Sequence, residues 1–134
     1  GMTWKPPEGG TVSGADLLAR TVLYKVGHHG SENATVQSYN GHKWGLELMT
    51  RPDLVAMLPV HEDFACNTKG WAMPAANLYK RLAALTQGRI LRGDFGVPQS
   101  PPAGASIDPA QWQAFLEHTA VAPDGLWVQY TVAD

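Results

Sequence analysis

Apolar positions along the chain fall into blocks of two kinds, short continuous runs and helical repeats, and they alternate. Residues 21–26, "TVLYKV", are rich in β-branched and aromatic side chains and read as a strand. Residues 53–60, "DLVAMLPV", form a short continuous apolar run of the kind found in a strand buried on both faces. "RILRGD", residues 89–94, resumes as a short strand. "GLWVQYTV", residues 125–132, alternates apolar and polar positions and predicts a strand with one wet face. Between these lie helical patterns. In "PAANLYKRLAALTQG", residues 74–88, Leu78, Leu82 and Leu85 share one face, Pro74 suits the first turn and Gly88 the carboxyl cap. "SGADLLAR" offers a short helix with Ser13 as N-cap and Asp16 in its first turn. "DPAQWQAFLEHT" offers another, with Asp108 as N-cap and Pro109 at the first helical position.

Around them, residues 1–20 form an irregular lead-in containing the short helix, and residues 21–134 form the main body of a single domain. The stretch from Trp44 to Met49 looks helical, and "HEDFACNTKGWAMP" is expected to be a loop. Residues 95–110, with four prolines between Pro98 and Pro109, read as a surface connection. Alternating strands and helices favour an α/β fold, with flanking helices on a sheet at least partly parallel or mixed.

Composition narrows the classes. With 134 residues, 44% hydrophobic and 16% charged, the chain is globular and large enough for a core. A net charge of -2, with no basic block, gives no field to draw in nucleic acid, which enters only as a conceivable substrate. No apolar run is long enough to span a bilayer, so no membrane partner is expected. Cys66 stands alone, which excludes an internal disulfide and any multi-cysteine zinc site and suits a reducing, cytoplasmic setting. Gly1 ahead of Met2 reads as a tag remnant, placing the expected natural start at Met2.

The chemistry concentrates where the first strand ends, in "VGHHGS". Imidazole is a frequent zinc ligand, and Gly27 and Gly30 allow the backbone to turn an imidazole nitrogen into a cleft. Adjacent side chains on extended backbone point opposite ways, so one histidine would coordinate while the other orients or donates.

"VLYKVGHHGSENAT" resembles the last metal-binding motif of metallo-β-lactamase fold hydrolases, in the branch that includes the catalytic domain of competence-type DNA-uptake proteins. The likeness is tightest from Leu23 to Ser31 and extends through "GRILRGD" to Asp94; it departs at Tyr24, where that branch has leucine. The resemblance implies a partial metallo-β-lactamase-like sandwich, zinc in the intact enzyme, and hydrolysis of an ester or phosphodiester bond. It makes His28 the metal ligand, since it comes directly off the strand, and His29 the catalytic residue that orients or donates a proton. The family's His-x-His-x-Asp-His motif and bridging aspartate are absent, so the chain looks like the carboxyl-terminal half of such an enzyme, with an incomplete zinc site and no activity alone.

Other candidate donors are His42, His61, Glu62, Asp63, Asp94 and His118, with "VHEDF" the best cluster. Asp94 reads more simply as a turn aspartate, and His42 and His118 as solvent-facing. Ser31 lacks the strand–turn–helix elbow of a serine nucleophile and is expected to hydrogen-bond within its turn. The acidic surroundings of Cys66 argue against a reactive thiolate. Trp44, Trp71, Trp112 and Trp127 read as core or interface anchors. A half-sandwich would leave an apolar sheet face and an edge bare. That predicts a homo-oligomer or a separately encoded amino-terminal half as partner. The alternative to an enzyme fragment is a non-catalytic interaction module that oligomerises or complements such a half.

Overall fold

The computed structural model describes residues 3–35 and 45–132, which places His42 and Trp44 outside the described residues. The fold is α/β, and parallel and antiparallel pairing occur in separate sheets. Three strands, β3 (Leu23–Lys25), β4 (Val55–Leu58) and β5 (Ile90–Arg92), form a parallel sheet in the order β3-β4-β5. Leu23 lies opposite Val55, and Ala56 opposite Ile90. Residues 1–20 are less irregular than expected: β1 (Thr3–Trp4) pairs with β2 (Val12–Ser13) ahead of α1 (Gly14–Ala19). Two-residue strands are too short to show a period in the sequence. Ser13 caps α1 as predicted, with the Asp16 side chain reaching back to complete a capping box.

The continuous apolar run of β4 follows from its central position. Ala56 and Leu58 face a core built with α2 (Ala76–Thr86) through Leu78 and Leu82. Val55 faces a second core with Trp112 and Phe115 of α3 (Pro109–Glu117). Against that second layer, β6 (Thr119–Val121) and β7 (Val128–Tyr130) form an antiparallel hairpin. Its packing contribution includes Val128 and Tyr130. The bare apolar sheet face expected of a half-sandwich is therefore not seen: this chain's own helices and hairpin cover both faces. Among the described residues, β3 pairs only with β4, and its other edge carries no strand.

Several boundaries differ from expectation. Pro74 precedes α2 instead of opening it, and the left-handed cap is Gln87, with Gly88 next in the same region (φ 52° and 87°). The expected helix near Met49 is a single 3₁₀ turn, Leu46–Leu48. The expected "HEDF" loop is helical, with a π-type turn over Phe64–Thr68. Its first turn is stabilised by His61 Nδ1, which accepts the Phe64 N–H at 3.2 Å. Trp112 is a core residue at 5% exposure, whereas Trp71 and Trp127 stand half-exposed.

The α3 cap gives a direct check. Asp108 Oδ1 accepts the Ala110 N–H at 2.7 Å. Asp108→Ala is expected to cost about 1 kcal/mol, read as a lowered denaturant midpoint without a change in slope.

Candidate functional site

All three parallel strands deliver their chemistry-bearing loops to one end of the sheet. The His28–Gly30 turn follows β3, Pro59 to Asp63 follow β4, and Gly93 and Asp94 follow β5. In open parallel sheets the carboxyl ends of strands are where ligands are usually held.

The histidines themselves make the turn. His28, His29 and Gly30 are successive residues in the left-handed region, with φ of 43°, 52° and 76°. Histidine is among the few residues with a side chain that enter it with some frequency. Gly27 C=O accepts the Gly30 N–H, and His28 C=O accepts the Ser31 N–H, each at 3.0 Å. The Ser31 backbone thus closes the turn. Gly30 is buried because Leu58 and Pro74 press on it: a Cβ there would lie 2.9 Å from Leu58 Cδ1 and 3.0 Å from Pro74 Cβ.

Both imidazoles are exposed, but only one is anchored. His29 Nδ1 lies 2.6 Å from the Pro59 carbonyl oxygen. A carbonyl only accepts, so Nδ1 carries the hydrogen and, in the neutral ring, Nε2 presents its lone pair outward. Metal-ligating histidines are characteristically oriented in this way. The His28 ring makes no hydrogen bond among the described residues. Pro59 also lines a shallow cavity of about 210 Å³ together with Lys25, Arg92, Gly93, Leu126 and Trp127. Leu126 and nearby Phe95 are 82% and 75% exposed.

The neighbouring acids are engaged with a cation. Arg92 donates to Asp94 Oδ1 at 2.8 Å and Oδ2 at 2.7 Å, and to Glu62 Oε2 at 2.8 Å. Asp94 Oδ2 also accepts the Glu62 N–H at 3.0 Å. Burial alone would raise the Asp94 carboxyl; the Arg92 and Glu62 hydrogen bonds and the guanidinium charge outweigh it and hold the pKa at about 2. Hydrogen bonding to Asp94 correspondingly raises Arg92. Asp94 is thus a turn aspartate, as expected, but one locked in a partly buried ion pair. Asp63 Oδ1 accepts the Asn67 side-chain N–H at 2.7 Å.

Zinc needs about three or four protein donors converging on one point. Among the described residues no group of three or more His, Cys, Asp or Glu side chains does this. His61 Nδ1, Glu62 and Asp94 already have partners, and Cys66 is exposed, its thiol 3.8 Å from the Met73 carbonyl oxygen. The described residues therefore do not fit a complete zinc site by themselves. His118 lies elsewhere, at the other end of the sheet, partly exposed with its Nδ1–H donated to Thr131 C=O at 2.7 Å.

Two residues of evident importance, Arg89 and Arg92, escaped the sequence reading. The available signal was their position: each flanks or ends an apolar strand whose neighbours are buried. No helix among the described residues is long and apolar enough to cross a membrane. Comparison of the chain with protein-family models, with curated proteins and with solved structures gives no match.

Proposed function

We propose that the His28–His29 turn is one wall of a metal-dependent hydrolytic centre acting on ester or phosphodiester bonds, with the remaining ligands supplied by another polypeptide segment. The observation that carries this reading is the hydrogen bond from His29 Nδ1–H to Pro59 C=O, which leaves Nε2 outward and available. The resemblance of "VLYKVGHHGSENAT" to the last metal-binding motif of metallo-β-lactamase fold hydrolases supports it. Strand direction nominated His28 as ligand and His29 as the orienting or proton-donating residue; the anchored ring favours the reverse assignment. The edge of β3 that carries no strand among the described residues, beside the turn, suits main-chain pairing with the segment that completes the centre.

A second reading, a non-catalytic interaction module, is favoured by the exposed Leu126, Trp127 and Phe95 at the same end of the sheet. On either reading the partner is a second polypeptide or another copy of this chain.

Zinc titration against a chromophoric chelator separates the two. The isolated chain is expected to bind zinc weakly, in the micromolar range or above. His29→Ala should weaken that binding by at least about tenfold, or 1.4 kcal/mol, and His28→Ala by less. Stoichiometric nanomolar zinc on the chain in monomeric form would show a complete centre here and overturn the shared-site reading. Weak binding indifferent to both substitutions would leave the interaction module.

A further inference from the structure

The opposite end of the parallel sheet opens into a larger cavity of about 510 Å³. Its walls come from residues just ahead of the three strands, Val22, Asp53 and Arg89, and from Phe115, His118 and Tyr130 on the α3 and hairpin layer. Arg89 is 3% exposed. Its Nε donates to Leu54 C=O at 3.2 Å and Nη2 donates to Pro52 C=O. Those carbonyls satisfy one edge of the guanidinium. Both hydrogens of Nη1 and one of Nη2 have no acceptor among the described residues, and no carboxylate pairs with this side chain.

The acid that shares the cavity is already committed. Arg51 holds Asp53 through two bonds, Nε to Oδ1 at 2.7 Å and Nη2 to Oδ2 at 2.6 Å. Asp53 therefore reaches Arg89 only through its field, and the open guanidinium edge has no hydrogen-bonded anion among the described residues. Buried charges are costly unless paired, and a guanidinium edge matches a carboxylate in shape as well as sign. Tyr130 adds a hydroxyl with no hydrogen-bond partner among the described residues, and burial raises its pKa, so it remains a donor at neutral pH. Val22, Ala114, Phe115 and Val132 supply apolar wall. Ligand pockets commonly have this make-up, largely apolar with a few convergent polar groups.

We propose that this cavity binds a small organic monocarboxylate, its carboxylate on the open edge of Arg89 and its apolar body against Phe115 and Val22. The site is separate from the histidine turn and rests on nothing argued there.

Titration of the ¹⁵N-labelled full chain with benzoate, at ionic strength held constant with chloride, tests it through the Arg89 side-chain Nε–H resonance. The expected result is a saturable shift with a millimolar or tighter Kd, and a response to inorganic phosphate at least about tenfold weaker, since phosphate has no apolar body to bury. Arg89→Lys, followed through the backbone amides of the cavity wall because the Arg89 resonance is gone, keeps the charge but loses the fork and should weaken benzoate by about tenfold or more. Because Arg89 also ties down two carbonyls, Ala114→Trp provides a variant at an exposed position of α3 that fills the cavity from its wall. It should abolish the shift while the native spectrum persists. No saturable shift in the unsubstituted chain, or phosphate equal to benzoate, would overturn the proposal. Undiminished benzoate binding in Ala114→Trp would overturn it too.

Discussion

Arg92→Ala is expected to lower the unfolding free energy by about 3–5 kcal/mol, a large share of the stability of an ordinary domain. Its guanidinium is the partner of Asp94, and the two side chains are only 9% and 7% exposed. Removing it strands a carboxylate that water can hardly reach. Glu62, at 47% exposure, can rehydrate, so Asp94 sets the cost. The substitution also forfeits the stacking of Arg92 over Phe95, 4.4 Å from the ring centre. Arg92→Met combined with Asp94→Leu should recover most of the loss, because replacing both members of a buried pair with apolar groups is often close to neutral.

Acid provides an independent readout of the same pair. The Asp94 carboxyl titrates at about 2 in the folded protein, below its ordinary 3.8. A depressed carboxylate pKa contributes stability that is fully present above the unfolded value and lost as pH falls through the folded one. The pair's contribution, on the order of 2 kcal/mol, should therefore disappear between about pH 4 and pH 2. Denaturant titrations across this window should show that slope in the unsubstituted chain and a flatter one in Asp94→Asn. An identical acid profile in both would remove Asp94 as its source.

Gly30→Ala is the second substitution with a large expected effect, about 2–5 kcal/mol. Two terms add: an L-residue pays about 1–2 kcal/mol for left-handed backbone, and forcing a methyl into a filled site costs about 1–3 kcal/mol. The contacts decide the second term. Leu58 Cδ1 ends a flexible side chain, but Pro74 Cβ belongs to a ring and cannot swing aside. Gly10→Ala is the matched control, since its φ of 86° is also left-handed but no atom lies within 4 Å of the added Cβ. It should cost no more than the backbone term, about 1–2 kcal/mol. Equal losses at the two glycines would show that the packing on Gly30 is unimportant.

Strong local signals carried much of the architecture. The β-branched and apolar runs marked β3, β4 and β5, and Ser13 and Asp108 marked two helix starts, because each feature is set by residues within a few positions of one another. Elements defined by distant partners were not legible. β1, β2 and β6 have two or three residues each and exist because another strand lies alongside. The "HEDF" helix depends on a His61 ring bond to Phe64 N–H that nothing in its composition announces.

The site divides in the same way. The histidine pair and its glycine were visible as a motif, whereas the identity of the anchored ring depends on Pro59, thirty residues away. Arg89 and Arg92 carry no local signal beyond flanking or ending an apolar run. Their roles come from the sheet bringing distant groups to meet them, the Leu54 and Pro52 carbonyls to Arg89 and the Glu62 carboxylate, thirty positions away, to Arg92. The expected bare sheet face failed for a related reason. Residues 109–130 supply a helix and hairpin that cover it, and their apolar pattern gives no sign of which face they will occupy.

The left-handed turn at His28 and His29 also affects how natural variation at these positions would read. Such backbone excludes valine, isoleucine and threonine on steric grounds alone, and it admits glycine, asparagine, aspartate and histidine. A narrow repertoire at either position would therefore follow from geometry even without chemistry. Asparagine is the telling exchange, because it keeps the bend and discards the imidazole. If residue 29 coordinates a metal as proposed, lineages that tolerate asparagine there would have given up that role, and those that never admit it would be under selection for the ring.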